Sequence, residues 1–129
     1  FKFGSISVDD VRLGIRSLRG GSGPGFDNLT VEMIKSVEDE IMPALYHIIS
    51  ESLRQGVFPD DLKLSIIKPI FKSGDRSLPQ NYRPISLLSV ISKLIEKIVK
   101  NRLVNWMVAN KLISKNQFGF QIGLSTQDA

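Results

Sequence analysis

The chain has no cysteine. That absence removes disulfides, thiolate zinc sites and cysteine nucleophiles together. Its only histidine is His47, so a Ser-His-Asp triad has a single possible base and a multi-histidine metal centre has no ligand set. No apolar run approaches the roughly 18 residues of a membrane-crossing helix. The first residue is Phe1 and no charged-then-apolar leader follows it, so nothing addresses the chain to membrane or export. An opening on Phe1 reads as a piece of a longer protein.

What is present is ordinary globular usage. Of 129 residues, 42% are hydrophobic and 23% charged, which argues against disorder throughout and for one domain or part of one. The net charge of +4 is unevenly placed. Residues 1–60 carry six Lys/Arg against nine Asp/Glu, a net of −3; residues 61–129 carry eleven against four, a net of +7. A basic half with few acids suits a phosphate-backbone partner, and equally a lysine-rich solvated surface.

Ser7-Val8-Asp9-Asp10 has the form of a capping box. Val8, Val11, Leu13, Ile15 and Leu18 follow at roughly helical spacing, predicting a helix over 8–19. The glycine-rich run 20–25 breaks it, reading as a flexible link. Residues 30–37 predict a short helix. Ile41, Leu45, Ile48, Ile49 and Leu53 predict one apolar stripe of a helix ending at Gly56, with Pro43 near its first turn. Residues 63–71 are rich in β-branched and aromatic side chains and predict a strand. Ser73-Gly74-Asp75 is turn chemistry, and 82–88 predict a second strand, giving a hairpin with a long loop. From Ser89 to about 110 a long helix is expected. Its apolar face carries Ile91, Leu94, Ile95, Ile98, Val99, Leu103, Trp106 and Met107, with Lys93, Lys97 and Lys100 off that face. So wide a face needs a partner surface.

Several tempting motifs fail on chemistry. The glycine run lacks the terminal Gly-Lys-Ser/Thr of a phosphate loop and is preceded by a helix rather than a strand. Phe58-Pro59-Asp60-Asp61 resembles a polymerase carboxylate pair. It follows a helix end and contains a proline, however, and its nearest upstream acids lie on helices; it reads as a turn. Asp9 and Asp10 read as helix capping, and His47 as a surface residue. No residue is assigned to a metal. The basic set Lys68, Lys72, Arg76 and Arg83 is more informative. Lys72 and Arg83 flank the loop between the two strands, where an ammonium and a guanidinium would suit a triphosphate.

Gly23-Pro24-Gly25-Phe26-Asp27, Gly56-Val57-Phe58-Pro59, Pro69-Ile70-Phe71-Lys72-x-Gly74-Asp75, Asn81-Tyr82-Arg83-Pro84-Ile85-Ser86-Leu87-Leu88, Ser92-Lys93-x-x-Glu96-Lys97-Ile98-Val99 and Gln117-Phe118-Gly119-Phe120-x-x-Gly123-x-Ser125-Thr126 stand in one order. This ordered set resembles the amino-terminal part of the reverse transcriptase domain of non-LTR, LINE-like retrotransposons, over nearly the whole chain. The resemblance implies an α+β fold, mostly α: a fragment of a right-hand polymerase, the fingers and entry to the palm, with a small β-hairpin. It divides the chain into a helical lead-in (1–60), a basic fingers hairpin (61–88), a long helix (89–110) and the start of a palm segment (111–129). It implies that Lys72 and Arg83 bind the incoming nucleotide and that Phe118, Gly119 and Phe120 lie near template and primer. Gln121 stands where many relatives have arginine.

The family's metal-binding Asp motifs fall beyond Ala129. The resemblance therefore implies an RNA-directed DNA polymerase segment without catalytic residues of its own, inactive alone. Mg2+, RNA template, DNA primer, dNTP and the rest of palm and thumb would belong to the intact protein, which would be intracellular, nuclear or cytoplasmic. The alternative is a retained, non-enzymatic basic module that binds RNA or a protein partner.

Overall fold

The computed structural model describes residues 4–114, 116–121, 123, 125 and 127. Four helices and one hairpin make up the fold: α1 (Val8–Arg16), α2 (Val31–Ser36), α3 (Glu38–Gln55), β1 (Ser65–Phe71), β2 (Tyr82–Leu88) and α4 (Val90–Ala109). It is a mixed helix-and-strand fold with a single two-stranded antiparallel sheet among the described residues.

The capping box forms. Ser7 Oγ accepts from Asp10 N while Asp10 Oδ2 accepts from Ser7 N at 2.8 Å, satisfying two otherwise unpaired donors of the first turn. Helix α1 stops at Arg16, three residues short of the predicted end at 19. Ser17 Oγ donates back to Gly14 O at 2.7 Å, and two lysines from elsewhere cap the freed carbonyls. Lys97 Nζ donates to Ser17 O at 2.6 Å and Lys35 Nζ to Leu18 O at 3.0 Å. Cations at a helix C-terminus are favoured by the dipole as well as by hydrogen bonding.

The core is helical. Val11, Ile15 and Leu18 of the α1 region, Val31 and Ile34 of α2, Met42, Leu45 and Ile49 of α3, and Val90, Leu94, Ile95 and Ile98 of α4 are buried together. Gly14 allows α1 to lie against α4, since a Cβ there would stand 2.6 Å from Leu94 Cδ1. The α3 stripe is rotated from the expected one. Met42 is buried, whereas Ile48 is exposed. Helix α3 also starts at Glu38, so Pro43 sits in its second turn rather than its first. The Asp39 carbonyl that Pro43 cannot bond belongs to an exposed residue opposite an exposed proline, so water can satisfy it.

The broad face of α4 is only half covered. Leu94, Ile95 and Ile98 are buried, Ile91, Val99, Trp106 and Met107 half-buried, and Leu103 exposed. Helices α1 and α3 and the 3₁₀ turn Asp60–Lys63 shield the first three turns; Ser92 Oγ binds that turn through Leu62 O at 2.7 Å. Val104 and Val108 lengthen the exposed strip at the far end.

The end of the glycine run is not a free link. Gly25 is buried, and a Cβ on it would stand 2.5–2.8 Å from backbone atoms of Leu88 and Ser89. Two residues on, Asp27 Oδ2 accepts from the buried Ser89 hydroxyl at 2.5 Å, and Ser89 Oγ accepts in turn from Ile91 N as the N-cap of α4. Overpacking against backbone costs about 1–3 kcal/mol, and so does leaving a buried hydroxyl unpaired. Gly25→Ala and Asp27→Ala are each expected to lower the Tm by roughly 5–15 °C in a thermal melt. Gly23→Ala, whose Cβ would meet only a Leu87 methyl at 3.6 Å, is expected to leave the melt unchanged.

A second prediction concerns acid. The Ser7 backbone N–H, with Arg102 Nη2 at 3.0 Å, holds the Asp10 carboxyl below its ordinary value of 3.8. A carboxyl lowered on folding stabilises the fold above its unfolded pKa, and that contribution is lost as pH falls through the folded value. Denaturant titrations of Asp10→Asn are expected to show a shallower loss of stability below pH ~4 than the native chain.

Candidate functional site

Strands β1 and β2 pair in a register that puts Lys68 opposite Ile85, Ile70 opposite Arg83 and Phe71 opposite Tyr82. Directly opposed residues share a face, and residues two apart along a strand share it too. The ladder extends one residue past β1, with Lys72 N donating to Asn81 O at 2.8 Å. Lys68, Lys72 and Arg83 therefore lie on one face, with Arg83 diagonal to both lysines, a separation of roughly 7–8 Å. Ile66, Ile70 and Ile85 interleave with them on that face, and all six are exposed.

The other face carries an aromatic clasp. The Phe71 and Tyr82 rings meet edge to face at 5.5 Å, and the Arg76 guanidinium stands 4.8 Å from the Phe71 centroid. Tyr82 donates its hydroxyl proton to Arg76 O at 2.9 Å. Arg76 is thus drawn to the face opposite Lys72 and Arg83. The connecting loop is ordered rather than slack. Asp75 Oδ1 accepts from Ser77 N and Ser77 Oγ, both at 2.8 Å, and Asn81 Nδ2 donates to Asp75 O at 2.7 Å. Gly74 adopts φ +89°, and the Asn81 amide occupies the space a Cβ would take. The backbone from which Lys72 and Arg83 project is pre-shaped by these contacts.

The remaining candidates are placed elsewhere. Phe118, Gly119 and Phe120 form a turn beyond α4. Gln117 Nε2 donates to Gly119 O at 2.8 Å and Gln121 Nε2 donates back to Gln117 O. Phe118 is half-buried, and Phe120 is fully exposed with a left-handed φ of 64°. Thr126, in the last of the sequence blocks, and Ala129 lie outside the described residues. Asp60 and Asp61 sit in the 3₁₀ turn. The Lys63 ammonium, 2.6 Å from Asp60, lowers the Asp60 carboxyl pKa. Among the described residues no three His, Cys, Asp or Glu side chains gather where a cation could be held. His47 is exposed on α3. In the glycine run, Gly21 N donates to Glu32 Oε1 at 3.0 Å, so this amide faces a carboxylate rather than a phosphate.

Sequence reasoning did not anticipate the bond between Asp27 and Ser89, nor the Arg76 stack. Asp27 was legible within its Pro-Gly-x-Asp segment and Ser89 as a helix start, but they are 62 residues apart. Only their proximity in the fold reveals one unit.

No protein-family profile matches the chain. Individual relatives do. The chain is 37% identical over 122 residues, 94% of its length, to a "Probable RNA-directed DNA polymerase from transposon BS" of Drosophila melanogaster. It is 30% identical over 124 residues to the RNA-directed DNA polymerase from mobile element jockey of Drosophila funebris. It is 31% identical over 126 residues to a Pol polyprotein from the type-1 retrotransposable element R1 of Bradysia coprophila. It spans only 14%, 14% and 12% of these relatives' lengths.

Proposed function

The chain belongs to the RNA-directed DNA polymerases of non-LTR retrotransposons, and from that premise we propose that it is the fingers and palm entry of a right-hand reverse transcriptase. In this reading residues 1–60 are a helical lead-in, 61–88 the fingers hairpin, 89–110 the long helix behind it and 111–129 the start of the palm. The hairpin face receives the triphosphate of the incoming dNTP. Lys72 supplies a mobile point charge, Arg83 a planar fork for two oxygens, and Lys68 a further cation. The turn at 118–120 stands near template and primer, where an exposed Phe120 ring can stack on a base. RNA template, DNA primer and dNTP are the partners of the intact protein.

One observation carries this reading. The register Ile70–Arg83, continued by the Lys72–Asn81 bond, sets cations from both sides of a long loop on one open face. Two strands alone are marginally stable, and a sheet whose basic face is open suits a surface built to be covered by substrate and neighbouring segments.

Catalytic Mg2+ belongs, in this reading, to the Asp motifs of the longer polypeptide. Two cations about 4 Å apart need clustered carboxylates, and the acids here are dispersed or paired with cations. The Lys72–Arg83 face would meet the nucleotide's phosphates, orient them and neutralise part of their charge.

Two outcomes test the proposal. In the longer polymerase containing this segment, Arg83→Ala removes a charged bidentate contact worth roughly 1.5–3 kcal/mol. Steady-state kinetics are expected to show a loss of about 10- to 150-fold in kcat/KM for dNTP; unchanged kinetics would refute the assignment. The 129 residues alone, given primed RNA, dNTPs and Mg2+, are expected to give no templated extension. Extension above a protein-free control would overturn the division of labour.

A further inference from the structure

Beside the hairpin lies a second basic feature. Lys93, Lys97 and Lys100 fall at i, i+4 and i+7 of α4, one stripe of the helix. With Leu18, Glu96 and Asn101 they line an open trough of about 500 Å³ where the end of α1 meets α4. The stripe is roughly 10 Å long at 1.5 Å per residue. That length lets Lys93 and Lys100, at its two ends, meet different phosphates of one strand.

Three features set this trough apart from an ordinary solvated lysine face. It is concave, and its floor is the buried Leu18. One of its cations is held in place, Lys97 Nζ being bonded to Ser17 O, and the stems of Lys93 and Lys97 are half-buried. Its charge is also left open. Glu96 lies three residues after Lys93 and four before Lys100, yet among the described residues neither lysine forms an ion pair with it or with any other acid. Arg19, exposed and next to Leu18, adds to the positive field.

We infer that this trough binds the sugar-phosphate backbone of a single nucleic-acid strand, separately from the hairpin face. Lys93 and Lys100 contact phosphates, Lys97 contributes field while capping α1, and the Asn101 amide offers hydrogen bonds to sugar or base. The inference rests on the reading of this chain as a nucleic-acid polymerase segment, but not on the roles of Lys72 and Arg83.

The test is fluorescence anisotropy of a labelled oligouridylate of about 15 nucleotides, titrated with the full 129-residue chain across a salt series. Each phosphate contact with a single strand adds roughly 0.7 to the slope of log affinity against log salt. Lys93→Gln/Lys100→Gln is expected to lower that slope by about 1.4 and to weaken binding roughly tenfold at moderate salt. Between about 50 and 200 mM salt the variant should lose about sevenfold less affinity than the native chain. Lys93→Arg/Lys100→Arg, which keeps both charges, is expected to retain slope and affinity. A slope and affinity unchanged in the Gln variant would overturn the inference. So would failure of the native chain to bind, or lysine-dependent binding to phosphatidylserine vesicles without binding to oligouridylate. Lys72→Ala/Arg83→Ala separates the two sites: it is expected to leave the salt-slope difference due to Lys93 and Lys100 intact, even if the hairpin assignment fails in the kinetic test.

Discussion

The Ser89 hydroxyl is the joint on which the molecule turns. It donates to Asp27 and accepts from Ile91 N, so one side chain ends β2, starts α4 and anchors the segment after the glycine run. Ser89 itself is fully buried, where an unmade bond is costly. Gly25 presses its backbone onto the same junction. Asp27 N-terminally organises its own turn, accepting from Leu29 N at 3.2 Å. The lead-in helices, the hairpin and the long helix are therefore set relative to one another at a single small contact. Moving Ser89 would re-aim the strand that carries Arg83, six residues upstream, and the helix that carries Lys93, four residues downstream.

That joint explains how an exposed hairpin can be precise. The core is drawn from the helices and from Ile6 and Leu18 at the two ends of α1; no residue of β1 or β2 is among its buried members. The hairpin projects from a rigid base through Leu88 at one end and the 3₁₀ turn, tied by Ser92 to Leu62, at the other. Elements with few buried contacts open most readily. Here the loop's own network of Asp75, Ser77 and Asn81 and the Phe71–Tyr82–Arg76 clasp compensate locally. Rigidity is supplied at the root and at the tip, leaving the basic face between them uncovered.

The sequence made the elements legible and left their mutual placement hidden. Periodicity located α1, α3 and α4, residues 30–37 already read as the short helix α2, β-branched and aromatic content with turn chemistry located both strands, and the capping box announced α1 at Ser7, the residue before it began. The α3 core line was misjudged because Ile48 and Ile49 are adjacent and equally apolar. Only packing against α1 selects Ile49 and recruits Met42, and Pro43 could lie deeper because its side of the helix faces solvent. The glycine run read as a link because a buried backbone–backbone approach leaves no periodic trace. Of the site, the residue types of Lys72 and Arg83 were visible, but their shared face depends on register, which no spacing fixes across a ten-residue loop. Arg76, of the same basic set, is drawn by the Phe71 ring to the opposite side.

The charge asymmetry has a structural sense that the net value hides. Most acids of the first half are engaged within the fold. Glu38 and Asp39 hold Arg12 at 3.0 and 2.7 Å, Asp10 holds Arg102, Glu32 meets Gly21 N, and Arg54 and Gln55 bring the Glu51 carboxyl down to about 2. Cations of the second half divide differently. Lys97 and Arg102 bind carbonyls of the lead-in segment, while Lys68, Lys72, Arg83, Lys93 and Lys100 form no ion pair among the described residues. Engaging most of the negative charge within the scaffold leaves the outward field of the hairpin and of α4 positive. In the proposed reading, a polyanionic strand drawn by that field would meet a backbone already set at the Ser89 joint, so less ordering of the chain would remain to be done on binding.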